Sequence, residues 1–226
     1  MNIFIPLLKA SKVMNLGQEV AKGLLKIEAV KVNIGEPYTW TSGLKSPVYC
    51  DNRVTLSYPP LRSTIIDGFV ALIKEHYPQV EAIAGIATAG IAQGALIADK
   101  LGLPYCYVRP EPKKHGMKNQ IEGRLSEGAK VILIEDLIST GLSSLKAVKA
   151  CREYGAEVLA VLSIFTYGFD VSKQAFVDAD CEMHSLCNFD ILNREAVEMN
   201  YIKEADIPSI QSWQKNPKDW SDSQTQ

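Results

Sequence analysis

All-apolar runs and amphipathic stretches alternate along most of this chain, and each pattern predicts a different element. Leu16, Val20, Leu24 and Ile27 recur at steps of three and four, which makes one apolar face of a helix across Asn15 to Val30. Tyr38 to Asp51 reads as two short strands about a Ser42-Gly43 turn. Tyr58-Pro59-Pro60 breaks the chain, and Leu61 to Tyr77 is again amphipathic and helical. Ala82 to Ile86 is a strand, Ala87-Thr88-Ala89-Gly90 a tight loop of small residues, and Ala92 to Leu101 a helix. Gly102 ends that helix, with Pro104 just beyond. Pro104 to Val108 is a strand, Val131 to Ile134 another, Ser143 to Tyr154 a helix and Glu157 to Phe165 a further strand. Strands apolar at every position, separated by helices, predict an α/β fold whose central parallel sheet is flanked by helices on both faces.

This alternation fits one domain over 1–226, with an N-terminal part of about 1–60, a core of about 61–200 and a polar tail of about 213–226. The tail, from Trp213 to Gln226, is expected to fray. Arg109 to Gly128 forms a long polar connection, the kind that in a compact domain is functional or mobile.

Composition narrows the function classes. The net charge of −2 gives no general pull toward nucleic acid or an anionic membrane, so any anion binding must come from local clusters. The five cysteines are odd in number and form no C-x-x-C pair, which favours free thiols in a reducing cytoplasm. Met1 to Leu8 carries an apolar patch too short for a signal-peptide core, and no apolar run is long enough to span a bilayer. Cys181, His184 and Cys187 are potential metal ligands at regular steps. On a strand, however, the cysteines would share one face and the histidine would take the other.

The chemistry concentrates where the longest apolar run ends. Val131 to Ile134 is followed by Glu135 and Asp136, then by Leu137-Ile138-Ser139-Thr140-Gly141-Leu142-Ser143-Ser144. Open α/β sheets bind ligands beyond the carboxyl ends of their strands, and a helix starting there presents unpaired N–H groups to phosphate. Ser139, Thr140 and Ser143 can donate hydroxyls, and Gly141 permits close approach or positive φ. Adjacent acids beside such a cradle suit sugar hydroxyls or a bound cation. Two further segments extend the pattern: the small-residue loop Gly85 to Ile91, and the basic stretch Arg109-Pro110-Glu111-Pro112-Lys113-Lys114-His115.

The Glu135–Ser143 string closely resembles the phosphoribosyl-pyrophosphate (PRPP) signature of type I phosphoribosyltransferases. The Lys113-Lys114-His115 loop, with Lys118 to Gly123, resembles the mobile catalytic loop of the orotate phosphoribosyltransferases. Thr41 to Arg53 is similar to their base-covering hood. The resemblance spans roughly Tyr38 to Tyr167 and implies a type I phosphoribosyltransferase fold with a small N-terminal hood. It implies transfer of phosphoribose from PRPP to orotate, giving orotidine 5′-monophosphate and pyrophosphate. It also implies Mg²⁺ held mainly by substrate, with no direct protein ligand, and a homodimer whose mobile loop acts in the neighbouring site. Rival readings are a purine phosphoribosyltransferase and a PRPP-sensing regulator of the same fold.

Carried over residue by residue, the match makes Arg109, Lys113, His115 and Asp136 catalytic. Glu135, Asp136, Leu137, Ile138, Ser139, Thr140, Gly141, Leu142 and Ser143 bind PRPP, together with Thr88, Ala89 and Gly90 of the pyrophosphate loop. Ser139 also lies where the family contacts orotate. Three positions depart from the enterobacterial form. Thr41 replaces a lysine, Pro110 a basic loop residue, and Tyr167 an orotate-binding arginine. Lys45 and Arg53, with Tyr167, are the expected orotate contacts in their place. Leu142 stands where a small residue is usual, which would strain the loop if its φ were positive.

Overall fold

The computed structural model describes residues 10–40, 42–111 and 120–224. Helix α1 (Ala10–Lys26) leads to β1 (Val30–Val32), and then a hairpin forms from β2 (Tyr38–Thr39) and β3 (Lys45–Ser46). Strand β4 (Val48–Cys50) turns back to pair with β1, antiparallel. A 3-10 turn over Asn52–Ser57 and helix α2 (Pro59–His76) connect this hood to the main sheet. The sheet region runs β5 (Ala82–Ile86), α3 (Gly90–Leu101), β6 (Tyr105–Val108), β7 (Ile121–Gly123), β8 (Lys130–Ile138), α4 (Leu142–Glu153), β9 (Glu157–Thr166), α5 (Asp170–Asp178), β10 (Glu182–Asn188) and α6 (Phe189–Glu198). Helices α7 (Ile207–Lys215) and α8 (Pro217–Ser223) follow.

The main sheet has the order β10-β9-β8-β5-β6-β7 and is parallel except for β7. Its strands are apolar at successive positions because both faces are covered. Ile83, Ile132, Ile134, Leu162 and Ile164 enter one apolar layer, with residues of α1, α2, α3, α6 and α7. Ala82, Ala84, Val131, Leu133 and Val161 enter the other, against Ala147, Val148 and Cys151 of α4 and Phe176 of α5. The period-two alternation of a strand thus feeds two cores at once.

One mismatch in strand length positions the site. Strand β8 pairs with β5 from Ala82↔Val131 to Gly85↔Ile134, but with β9 as far as Ile138↔Thr166. Glu135 to Ile138 therefore run past the last β5 pairing. The sequence places a strand end at Ile134 with the acids on a loop. In the structure the strand continues through both acids, because β9 and the hood satisfy its backbone.

Three other expectations are corrected. The polar connection after Arg109 contains β7, which pairs antiparallel with β6 and so returns the chain to the sheet edge. Cys181 and Cys187 do not lie on one strand. Cys181 precedes β10 and packs in one apolar layer, while Cys187 packs in the other. The tail does not fray from Trp213, since α7 and α8 run to Ser223 with Trp213 0% and Trp220 5% exposed. Two indoles, one on each of these helices, supply core packing that the polar composition around them hides.

Trp213 meets the rings of Trp40, Tyr167, Phe169 and Phe189 at centroid distances of 5.3–5.7 Å. Truncating a buried indole removes its transfer free energy and leaves a cavity. Trp213→Ala is expected to destabilise the fold by about 3–5 kcal/mol. A urea denaturation midpoint within error of the wild type would show that the tail contributes no core.

Candidate active site

The carboxyl end of β8 lies between two helix N-termini. Helix α4 starts immediately after the loop Ser139-Thr140-Gly141, and its first residues receive no side-chain cap. Helix α3 starts at Gly90, again without a side-chain cap. Unpaired N–H groups and two positive dipole ends therefore flank one strand terminus, which is an arrangement for phosphate. Both helix starts depend on glycine. A Cβ on Gly90 would overlap the Ile134 carbonyl oxygen, so glycine lets α3 sit against β8. Gly141 takes φ +81°, and a Cβ there would come within 2.8 Å of the Phe176 ring. Because the left-handed residue is Gly141 and not Leu142, Leu142 enters α4 in helical conformation without strain, its side chain 66% exposed. In the small-residue loop, the Ala87–Thr88 peptide is cis.

Glu135 and Asp136 stand on the projecting part of β8. Glu135 is buried, and its carboxylate Oε1 accepts the Asp136 backbone N–H at 3.0 Å. Burial, and then the neighbouring Asp136 charge, push the Glu135 carboxyl up to about 9; the Ser144 hydroxyl partly opposes this. Asp136 is also raised, chiefly by burial, while the positive charge of Arg53 opposes the rise. The Asp136 carbonyl accepts a hydrogen bond from Asn52 Nδ2 at 2.7 Å. Asn52 is a site residue that sequence reasoning missed. It clamps the hood to the acid pair across 84 positions, and no local pattern signals such a contact.

Next to this terminus, the hood and the sheet enclose a cavity of about 540 Å³, lined by Thr39, Trp40, Ser42, Leu44, Tyr49, Cys50, Leu137, Ser139, Thr140 and Tyr167. Trp40, Tyr49 and Tyr167 give its walls three aromatic rings. The Trp40 and Tyr167 rings lie 5.5 Å apart, tilted by 36°, and Tyr167 stacks on Phe169. The Trp40 indole N–H donates to the Val48 carbonyl at 3.1 Å, which fixes the ring. A planar ring with polar edges fits such a space. Trp40 and Tyr49 were missed by sequence reasoning, although two aromatics bracketing the predicted hairpin were a usable signal.

The expected site residues are not all brought together. Ser139, Thr140, Leu137 and Tyr167 reach the cavity. Lys45 and Arg53 do not line it. Lys45 Nζ donates to Thr39 Oγ1 at 2.9 Å and so stands behind the wall. Arg53 is held by both Asp51 oxygens, at 2.7 and 2.8 Å, although its charge still reaches Asp136. Arg109 ends β6 with Nη1 3.4 Å from the Glu122 carboxylate on β7. Thr41, Lys113, Lys114 and His115 lie outside the described residues.

The raised Glu135 pKa has a thermodynamic consequence. A folded-state carboxyl held above its unfolded value contributes most below the unfolded value, near 4.5, and loses that contribution as pH rises toward about 9. Glu135→Gln removes the titration. The variant should match the wild type at pH 4 and exceed it by about 1–3 kcal/mol at pH 8. Thermal melts across that range check this, and a gap that does not widen with pH would refute the buried-acid assignment.

The comparisons agree with this geometry. A family model described as the phosphoribosyl transferase domain matches residues 63–199. The orotate phosphoribosyltransferase of Cytophaga hutchinsonii is 55% identical over 207 residues, which cover 92% of this chain and 99% of that protein. The Bacillus subtilis orotate phosphoribosyltransferase is 51% identical over 207 residues, 91% of this chain and 96% of that protein. The crystal structure of orotate phosphoribosyltransferase from Aeropyrum pernix superposes with a TM-score of 0.70 at 27% identity, covering 81% of this chain and 99% of that one. With its acid-bearing strand end, uncapped helix starts and aromatic hood, this chain belongs to the phosphoribosyl transferase family, among the orotate phosphoribosyltransferases.

Proposed function

We propose that the chain transfers the phosphoribosyl group of PRPP to N1 of orotate, with pyrophosphate as the leaving group. One observation carries this reading: Ser139 and Thr140, on the loop that opens α4, are also walls of the aromatic cavity under the hood. A molecule with its phosphate on that loop would present its sugar carbon toward a flat base in the cavity. The bond from the anionic N1 to the sugar carbon forms as the bond from that carbon to the diphosphate oxygen breaks, and the electron pair leaves with pyrophosphate. The protein's task is positioning and charge stabilisation.

In this reading the N–H groups and hydroxyls of Ser139 to Ser143 hold the 5-phosphate. Thr88, Ala89 and Gly90 face the diphosphate, and Glu135 and Asp136 engage the ribose hydroxyls. The acid pair also suits Mg²⁺. Two adjacent carboxylates, each pushed toward its neutral form by burial, gain from a nearby cation. Mg²⁺ keeps several waters, so Glu135 and Asp136 would reach it through water while substrate oxygens supply the rest. When bound, the ion would neutralise the departing diphosphate. Arg109, Lys113 and His115 would add positive charge at the same place, reaching it from the neighbouring protomer of a homodimer. Tyr167 would contact orotate from the cavity wall, and Lys45 and Arg53 would shape the field around its carboxylate.

The reading further places the enzyme in the cytoplasm, supported by five cysteines present as free thiols. No helix among the described residues is long and apolar enough to cross a membrane.

Mixing the chain with orotate, PRPP and Mg²⁺ should bleach the orotate absorbance, and leaving out PRPP should stop it. Turnover of adenine or hypoxanthine in place of orotate would overturn the substrate assignment. Lys113→Ala should slow turnover by at least about tenfold, equivalent to 1.4 kcal/mol. Mixed with Asp136→Asn chains and allowed to exchange subunits, it should regain activity in the hybrid dimer. Absence of any recovery would argue that each protomer works alone.

A further inference from the structure

The cavity that takes the base has walls from two different parts of the chain, and the C-terminal helices touch both. Trp213 on α7 is edge-on to Tyr167 of the sheet (5.3 Å, 86°) and to Trp40 of the hood (5.7 Å, 87°). Beside it, Gln214 Nε2 donates to the Tyr167 carbonyl at 2.7 Å. On α8, Ser221 Oγ accepts the Lys45 backbone N–H at 2.9 Å, next to the cavity-lining Leu44. The Trp220 indole N–H donates to Ser209 Oγ at 3.1 Å and ties α8 to α7. One helical pair thus grips the sheet wall through Trp213 and Gln214 and the hood wall through Trp213 and Ser221.

The hood needs such a grip. Its hairpin consists of β2 and β3, two residues each, and β4 and β1 pair over three. Isolated two-stranded pairings of that length are marginal in water. The phosphate loop needs no such help, because Ser139 to Ser143 join β8 directly to α4.

We propose that α7 and α8 form a clasp that sets the spacing between Trp40 and Tyr167, making Gln214 and Ser221 positioning residues for the base and not for the sugar donor. The inference rests on the reading that orotate lies in the cavity against the wall that these two touching rings form. Loosening the clasp leaves the PRPP half intact and disturbs the wall that a planar ring would pack against, so affinity for the base falls alone.

Two mild variants of the full chain test it. Gln214→Met keeps side-chain length and removes the donor to Tyr167. Ser221→Ala removes the acceptor for Lys45, and Ser221→Thr restores a hydroxyl. Each of the first two should raise the orotate KM by at least about threefold, leave the PRPP KM within about twofold, and shrink the orotate-dependent change in tryptophan fluorescence at a fixed, subsaturating orotate concentration. Ser221→Thr should recover much of the loss. If wild-type protein consumes orotate normally while both variants keep the wild-type orotate KM, or shift both KM values equally, the clasp is refuted. If the wild type consumes no orotate at all, the reading of the cavity fails first and takes the clasp with it.

Discussion

Two carboxylates share the buried end of a strand that outruns its neighbour, and the remaining site geometry follows from accommodating them. Bringing Glu135 and Asp136 out of water disfavours both charges, and the Asp136 charge makes ionisation of Glu135 harder still, whereas the hydrogen bond from Glu135 eases that of Asp136. A strand fixes the pair more firmly than a loop could, since β9 continues alongside as far as Ile138↔Thr166. Helices α3 and α4 then set positive dipole ends on either side. Negative and positive features thus alternate over one strand terminus. That alternation matches a ligand with hydroxyls at its centre and phosphates at both ends.

Rigidity is unevenly distributed over the site. In the proposed reading, the phosphate half is built from strand ends and helix starts whose backbones are anchored in two apolar layers. The base half is a hood of two- and three-residue strands, held by distant partners. Asn52 ties it to Asp136, Trp40 is fixed on Val48, and Ser221 secures Lys45. The aromatic cluster around Tyr167 fills the gap between these parts. Tyr167 touches five other rings, of Trp40, Phe165, Phe169, Phe189 and Trp213, and its burial pushes the phenol further above its ordinary range. A tyrosine in that state offers a face and a hydrogen bond, where an arginine would offer a charge.

The parts legible from sequence were those whose signal is local. Ala82 to Ile86 is recognisable as a strand because every residue faces a core. Ser139, Thr140 and Gly141 declare their role by residue type. What was not legible depends on contacts across the chain. The acids at 135 and 136 end the apolar run, so the pattern stops at Ile134 although β8 does not. Trp213 and Trp220 are diluted among Gln, Lys, Asn and Asp, and only tertiary packing converts them into core. Lys45 and Arg53 read as free cations. Sequence carries no sign that Thr39 and Asp51 already engage them.

The shared walls of the cavity explain how two unlike halves of a ligand can be held in register. Ser139 and Thr140 belong to the phosphate loop by position and to the base cavity by contact. Any shift of that loop would move both subsites together, so the distance between a bound phosphate and a stacked ring is set by a few covalently linked residues. The opposite wall lacks this linkage, because Trp40 and Tyr167 are far apart in the chain. Their spacing is maintained by tertiary contacts: the indole of Trp213 touches both, and Gln214 and Ser221 hydrogen-bond to the two walls. In the proposed reading the backbone would therefore fix where the sugar donor sits, and side-chain contacts how well the acceptor fits, the latter being the more readily altered of the two.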